Sequence, residues 1–148
     1  MRHQGLLGIG IAVLTCGLLL GADKAADADR DKLQGEWVVV SGQENGKEVP
    51  AEKVKGMKMT VNQDRITVDE GKGKRVMNYK LDATQTPKAI DMTTVEGSDK
   101  GKMSQGIYEL DGDKLKICFA MPDKERPKNF SPKENSQEML FIMKRASK

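Results

Sequence analysis

The chain has 148 residues with 25 basic and 22 acidic side chains, a formal net charge of +3 and six aromatics, a length that suits one domain around one core. Its one histidine, His3, precedes an apolar run; if that run is removed the remaining protein has no imidazole, which excludes Ser-His-Asp and Cys-His nucleophilic centres, His-ligated zinc and facial-triad iron. The basic groups around Lys53–Lys58, Lys72–Arg75 and Lys124–Lys128 are interleaved with acids, whereas nucleic-acid binding wants a concentrated basic stripe beside exposed aromatics, so no nucleic-acid partner is expected.

Residues 1–22 combine Arg2, an apolar stretch from Leu6 to Leu20 broken only by Thr15, and Gly21-Ala22 just before the first acid, Asp23. This pattern predicts an export signal cleaved after Ala22, and the run is shorter than the roughly 20 apolar residues that cross a bilayer. The expected protein is therefore exported (periplasmic, extracellular or envelope-associated), with no stable membrane span once the signal is gone. Val13-Leu14-Thr15-Cys16 offers an alternative, since it loosely resembles a bacterial lipobox in which Cys16 is acylated. The bulk of Thr15 and the continuation of the apolar run through Leu18–Leu20 weigh against it. Residues 23–30 alternate alanine with charge and read as a solvated spacer, leaving residues 31–146 as the domain.

From Leu33 the pattern becomes short period-two apolar segments separated by Gly, Asn, Asp and Pro. Strands are predicted over Glu36–Ser41, Met57–Val61, Arg65–Asp69, Arg75–Leu81, Ala89–Met92, Met103–Leu110, Lys114–Ala120 and Glu138–Arg145. Ala51–Lys55, behind Pro50, has room for a helical turn. Met121–Gln137, with Pro122, Pro127 and Pro132, reads as a long irregular connection with room for one short helix.

Two hairpins have a register that the residues themselves test. A turn at Gln63-Asp64 opposes Val61 to Ile66 and Met59 to Val68 on one face, and Thr60 to Thr67 and Lys58 to Asp69 on the other. A two-residue turn at Asp111-Gly112 pairs Leu110 with Asp113, Glu109 with Lys114, Tyr108 with Leu115, Gly106 with Ile117 and Ser104 with Phe119. Both registers put apolar bulk on one side, which is the pattern of an antiparallel meander whose dry faces converge.

The only tryptophan stands in Gly35-Glu36-Trp37 at the start of the first strand, and the last strand ends in Arg145. This resembles the lipocalin and calycin signature, which implies Gly35, Trp37 and Arg145 as the residues that close one end of a barrel, the guanidinium lying over the indole. A wider set of spaced elements, among them Leu33-Gln34-Gly35, Asn45-Gly46-Lys47, Pro87-Lys88-Ala89-Ile90-Asp91, Gly106-Ile107-Tyr108, Leu110-Asp111-Gly112-Asp113 and Arg126-Pro127, resembles an uncharacterised exported domain family abundant in planctomycete bacteria. The resemblance implies an all-β fold, a small eight-stranded antiparallel lipocalin-like barrel with at most one or two short helices, and assigns no catalytic residue.

Eight of the nine methionines follow residue 22: Met57, Met59, Met77, Met92, Met103, Met121, Met139 and Met143. Unbranched thioethers adapt to varied apolar ligands, and they also serve as plain bulk in a chain poor in aromatics; an eight-stranded barrel is wide enough either to be filled or to hold one small molecule. Met77, Tyr79, Tyr108, Ile117 and Phe119 are the candidate ligand contacts, the two tyrosines supplying its polar groups, unless their hydroxyls are spent on the backbone. Asp111-Gly112-Asp113 lacks the further oxygens of a calcium loop and reads as a turn, so no metal is expected. Asp91, Glu96 and Asp99 read as a solvated acidic loop. Cys118, the one cysteine beyond the signal, reads as a small buried apolar residue. The expectation is a non-catalytic binder of a small apolar or amphipathic molecule with no cofactor; the alternative is a packed-core structural or interaction module that uses its outer surface or the Arg126–Gln137 loop on an unknown protein partner.

Overall fold

Alternating side chains over short segments with tight turns between them leave each ribbon one dry face, and the dry faces are buried together when the ribbon closes on itself. The computed structural model, which describes residues 17–147, has that form. Nine strands run in chain order: β1 Gly35–Glu44, β2 Lys47–Glu48, β3 Lys58–Asn62, β4 Arg65–Asp69, β5 Lys74–Asp82, β6 Lys88–Glu96, β7 Met103–Asp111, β8 Lys114–Ala120 and β9 Glu138–Arg145. Eight of them, β1 and β3 to β9, form a closed antiparallel barrel, because β1 pairs with both β3 and β9; β2 is a short extra strand on the far half of β1. Helix α1 covers Gly17–Leu33 and α2 covers Ala51–Val54, where a helical turn was expected.

The Gln63-Asp64 hairpin has the expected register throughout, from Lys58 opposite Asp69 to Val61 opposite Ile66. The second hairpin differs by two residues. Asp111 pairs with Lys114, Leu110 with Leu115, Tyr108 with Ile117 and Gly106 with Phe119, so the turn is Gly112-Asp113. Gly112 takes the first turn position with φ +57°, where the primed hairpin turns need a residue at ease with positive φ. A slip of two leaves every side chain on its face, so the apolar pattern alone does not separate the two registers.

Two further expectations change. Residues 23–30, read as a solvated spacer, lie within α1, and Asp29 in that stretch is only 6% exposed. Residues 121–137 contain turns but no helix. This connection lies on the outside of the barrel, where Phe130 packs with Ile142 against Ile107, Cys118 and Leu140. Arg126 straps it down, donating to the carbonyls of Ile90 (3.1 Å) and Gly106 (2.7 Å) and pairing with Asp91 at 2.6 Å. Strands β7 to β9 are thus covered on both faces, and that is why Cys118 and Ala120 are buried although they point outward.

The main core lies inside the barrel: Trp37, Met59, Val61, Ile66, Tyr79, Ile90, Met92, Tyr108, Leu115, Ile117 and Met143, with Leu33 of α1 among them. Gly106 is where the wall comes closest. A Cβ there would stand 2.8 Å from the Cys118 carbonyl oxygen and 3.0 Å from the Phe119 Cβ.

Candidate functional site

One end of the barrel is sealed. Trp37 opens the first strand opposite Arg145 of the last, and the guanidinium carbon lies 4.3 Å from the ring centroid. The same guanidinium donates to the carbonyls of Gln34 (2.9 Å) and Lys32 (2.6 Å) and contacts Asp113 at 3.3 Å, while the indole Nε1 donates to the Leu33 carbonyl at 2.8 Å. The closing trio therefore ties three chain regions together: the end of α1, the first strand and the last. Gly35 brings its backbone under Arg145, whose Nη1 would lie 3.4 Å from a Cβ there.

Tyr79 and Tyr108 lie toward this sealed end and are not among the residues around the apolar cavity at the other end; Tyr79 instead borders a groove beside α1. The Tyr79 hydroxyl donates to the Gln63 carbonyl at 2.7 Å, and the Tyr108 hydroxyl donates to the Asp29 carboxylate at 2.7 Å. Lys88 Nζ meets the same Asp29 oxygen at 2.8 Å. A carboxylate carried by α1 thus reaches into the barrel mouth and finds two donors, which compensates its removal from water. Burial raises the pKa of both phenols above the ordinary value; Asp29 adds to the effect at Tyr108, and Arg30 opposes it at Tyr79.

The other end is open and holds a cavity of about 260 Å³. Met77, Ile117 and Phe119, three of the five candidate contacts, line it. So do residues outside the five candidate contacts: Val39, Ile66, Val68 and Phe141 on the walls, and Met121 and Pro122 from the start of the outer connection. Seven methionines reach it, namely Met57, Met59, Met77, Met92, Met121, Met139 and Met143. Phe119 and Phe141 stack along one side with centroids 6.0 Å apart. The methionine count was the signal available in the sequence; what it lacked was depth, since Met57, Met121 and Met139 come from three separate strand ends. The outlier is Met103, which is exposed on the outside, beside a groove between α1 and strands β5 and β6 that Tyr79 and Leu81 also border.

Polar groups stand at the rim on the β4 to β7 side: Glu70, Arg75, Thr94, Asp99 and Ser104. Arg75 contacts Glu70 at 3.6 Å and Lys102 contacts Asp99 at 3.5 Å, both at the surface. The acids Asp91, Glu96 and Asp99 do not converge: Asp91 is held by Arg126 and Asp99 by Lys102. Among the described residues no group of three His, Cys, Asp or Glu side chains gathers, and no helix is long and apolar enough to cross a membrane. Cys118 is buried outside the barrel interior under the outer connection, and that burial pushes its thiol up to about 12, so it carries no thiolate at neutral pH. The Arg126–Gln137 loop is committed to the barrel wall through Arg126 and Phe130.

Comparison with protein-family models, with curated proteins and with solved structures yields no match.

Proposed function

We propose that this protein is an exported, non-catalytic binding protein that takes a small apolar or amphipathic molecule into the open end of its barrel. The observation that carries the proposal is the cavity of about 260 Å³ walled by thioethers and phenyl rings. Apolar pockets with a few polar groups at one side are the usual form of small-molecule sites, and methionine walls reshape around their contents at little cost. The proposal includes cleavage after Ala22 and kinship with the exported lipocalin-like domains that the spaced motifs resemble.

Native mass spectrometry of protein purified from its own host tests the binding reading: a retained molecule is expected, displaced when Phe119 is replaced by a larger tryptophan that fills the space. A single bare mass from every preparation, together with no change in Met methyl resonances on adding short amphiphiles, overturns it. N-terminal mass measurement tests the export reading: a chain beginning at Asp23 supports it, and an acylated Cys16 replaces it with the lipoprotein alternative.

A further inference from the structure

Plain bulk accounts for Met59, Met92 and Met143, which belong to the packed core. It does not account for Met121 and Met139, which are half-buried beside the cavity and lie outside that core. Phe119 lies opposite Gly106 on one side and Met139 on the other, and the Met121 amide donates to the Gln137 carbonyl at 3.0 Å. The β8–β9 ladder thus runs on past the end of β8 and makes Met121 and Met139 diagonal neighbours. Two residues beyond Gly106 and Phe119, the same β7–β8 register brings Met121 level with Ser104, whose partner on β6 is Met92. Ser104 is therefore flanked by methionines two strand spacings apart, about 10 Å, with only its own short side chain between them. Met92 faces Tyr79 and Met77 faces Thr94, so Met77 is in turn the diagonal neighbour of Met92. An arc of four thioethers crosses the inner wall from β5 to β9, and the curvature of the barrel turns their ends toward one another.

Thioether sulfur is a soft, neutral donor, the kind that selects Cu(I) over harder ions. Three rotatable bonds let each sulfur close on an ion without moving the backbone. Harder metals find no seat, since no three His, Cys, Asp or Glu side chains gather among the described residues. Neutral donors leave the charge of an ion uncancelled, and the cost of placing charge in apolar surroundings rises steeply with that charge, which favours a monovalent ion over a divalent one. The charges of the lining lean the same way. Glu70 and Asp99 stand there against one cation, Arg75, while Lys102 lies beyond the lining and is largely exposed.

We propose that this arc is a binding site for a soft monovalent cation of the Cu(I) class, with Met92, Met121 and Met139 as its donors and Met77 beside them. The site shares the cavity with the apolar molecule proposed above but uses different chemistry, so neither reading depends on the other.

Ag(I), equally soft and free of redox chemistry in water, serves as the probe beside Cu(I) kept reduced without oxygen. In the unaltered chain with isotope-labelled methionine methyls, one equivalent of Ag(I) is expected to shift the Met92, Met121 and Met139 resonances and to leave Met103, on the outside, in place. Competition against a Cu(I) chelator follows in a background carrying Cys16→Ala and Cys118→Ala, so that no thiol contributes; the methyl shifts stand whether or not that background folds. Met92→Leu and Met121→Leu are each expected to weaken Cu(I) binding by about tenfold or more, since loss of even an outer partner costs a metal site that much. Met59→Leu, in the same wall but off the arc, should change it by less than about twofold, because leucine conserves the volume. Zn(II) should bind far more weakly than Cu(I). Ag(I) that moves none of the three methyls, Cu(I) affinity that survives Met92→Leu combined with Met121→Leu, an equal loss in Met59→Leu, or Zn(II) held as tightly as Cu(I) overturns the inference and leaves the apolar-ligand reading intact.

Discussion

The two ends of the barrel are built from different materials. At the sealed end, large rigid groups are fixed by directed bonds: an indole under a guanidinium, two phenols on fixed acceptors, and a carboxylate from α1 between an ammonium and a hydroxyl. At the open end, the walls are thioethers, aliphatic side chains and two stacked phenyl rings around empty space, with a few polar groups on the β4 to β7 side. Directed bonds give one arrangement and are costly to break, whereas thioether packing tolerates rearrangement. The contrast teaches that directed bonds gather at one end of the barrel and adaptable apolar packing at the other.

Substitutions can break that contrast or sharpen it. Trp37→Ala removes the central piece of the sealed end and should cost about 3–5 kcal/mol in urea unfolding; a loss no larger than that of a cavity methionine would erase the distinction. Gly106→Ala drives a methyl into the Cys118 carbonyl and should cost about 1–3 kcal/mol, or fail to fold. Asp29→Ala strands the Tyr108 hydroxyl and should cost about 1–3 kcal/mol. If it is neutral, α1 does not help to seal the barrel. At the open end, Met139→Leu and Met77→Leu should each change stability by less than about 1.5 kcal/mol while altering which tails bind.

Alkaline titration examines the same difference without mutation. Tyr79, Tyr108 and Cys118 all have raised folded-state pKa values, so above their ordinary values of 10.0 and 9.0 the unfolded chain releases protons that the native state retains. Stability is then complete below about pH 9 and declines as pH rises through the interval up to the folded values. Tyr108→Phe should flatten that decline when unfolding is followed by circular dichroism between pH 9 and 11; an unchanged slope would place the burden elsewhere.

Period-two alternation made the strands legible, because burial on one face imposes it directly. Barrel closure was legible too, in Trp37 and Arg145 at opposite ends of the domain. Depth along the barrel was not. Alternation says that Tyr79, Tyr108 and Met77 point inward, yet two of these belong to the sealed end and one to the cavity. Level follows from register, and a slip of two residues, as at Gly112-Asp113, is invisible to the apolar pattern. Helix α1 was hidden for another reason. Its alanines and charges suit a helix as well as a solvated chain, and what fixes Asp29 inside is a tyrosine 79 positions away.

The connection between β8 and β9 begins as cavity wall at Met121 and Pro122, crosses the exterior under Arg126 and Phe130, and returns inward at Met139. Filling the inside therefore steadies a stretch of chain that a protease meets from without. Cleavage at Lys124 or Lys128 should slow in step with occupancy, giving a reporter of the interior that requires no label.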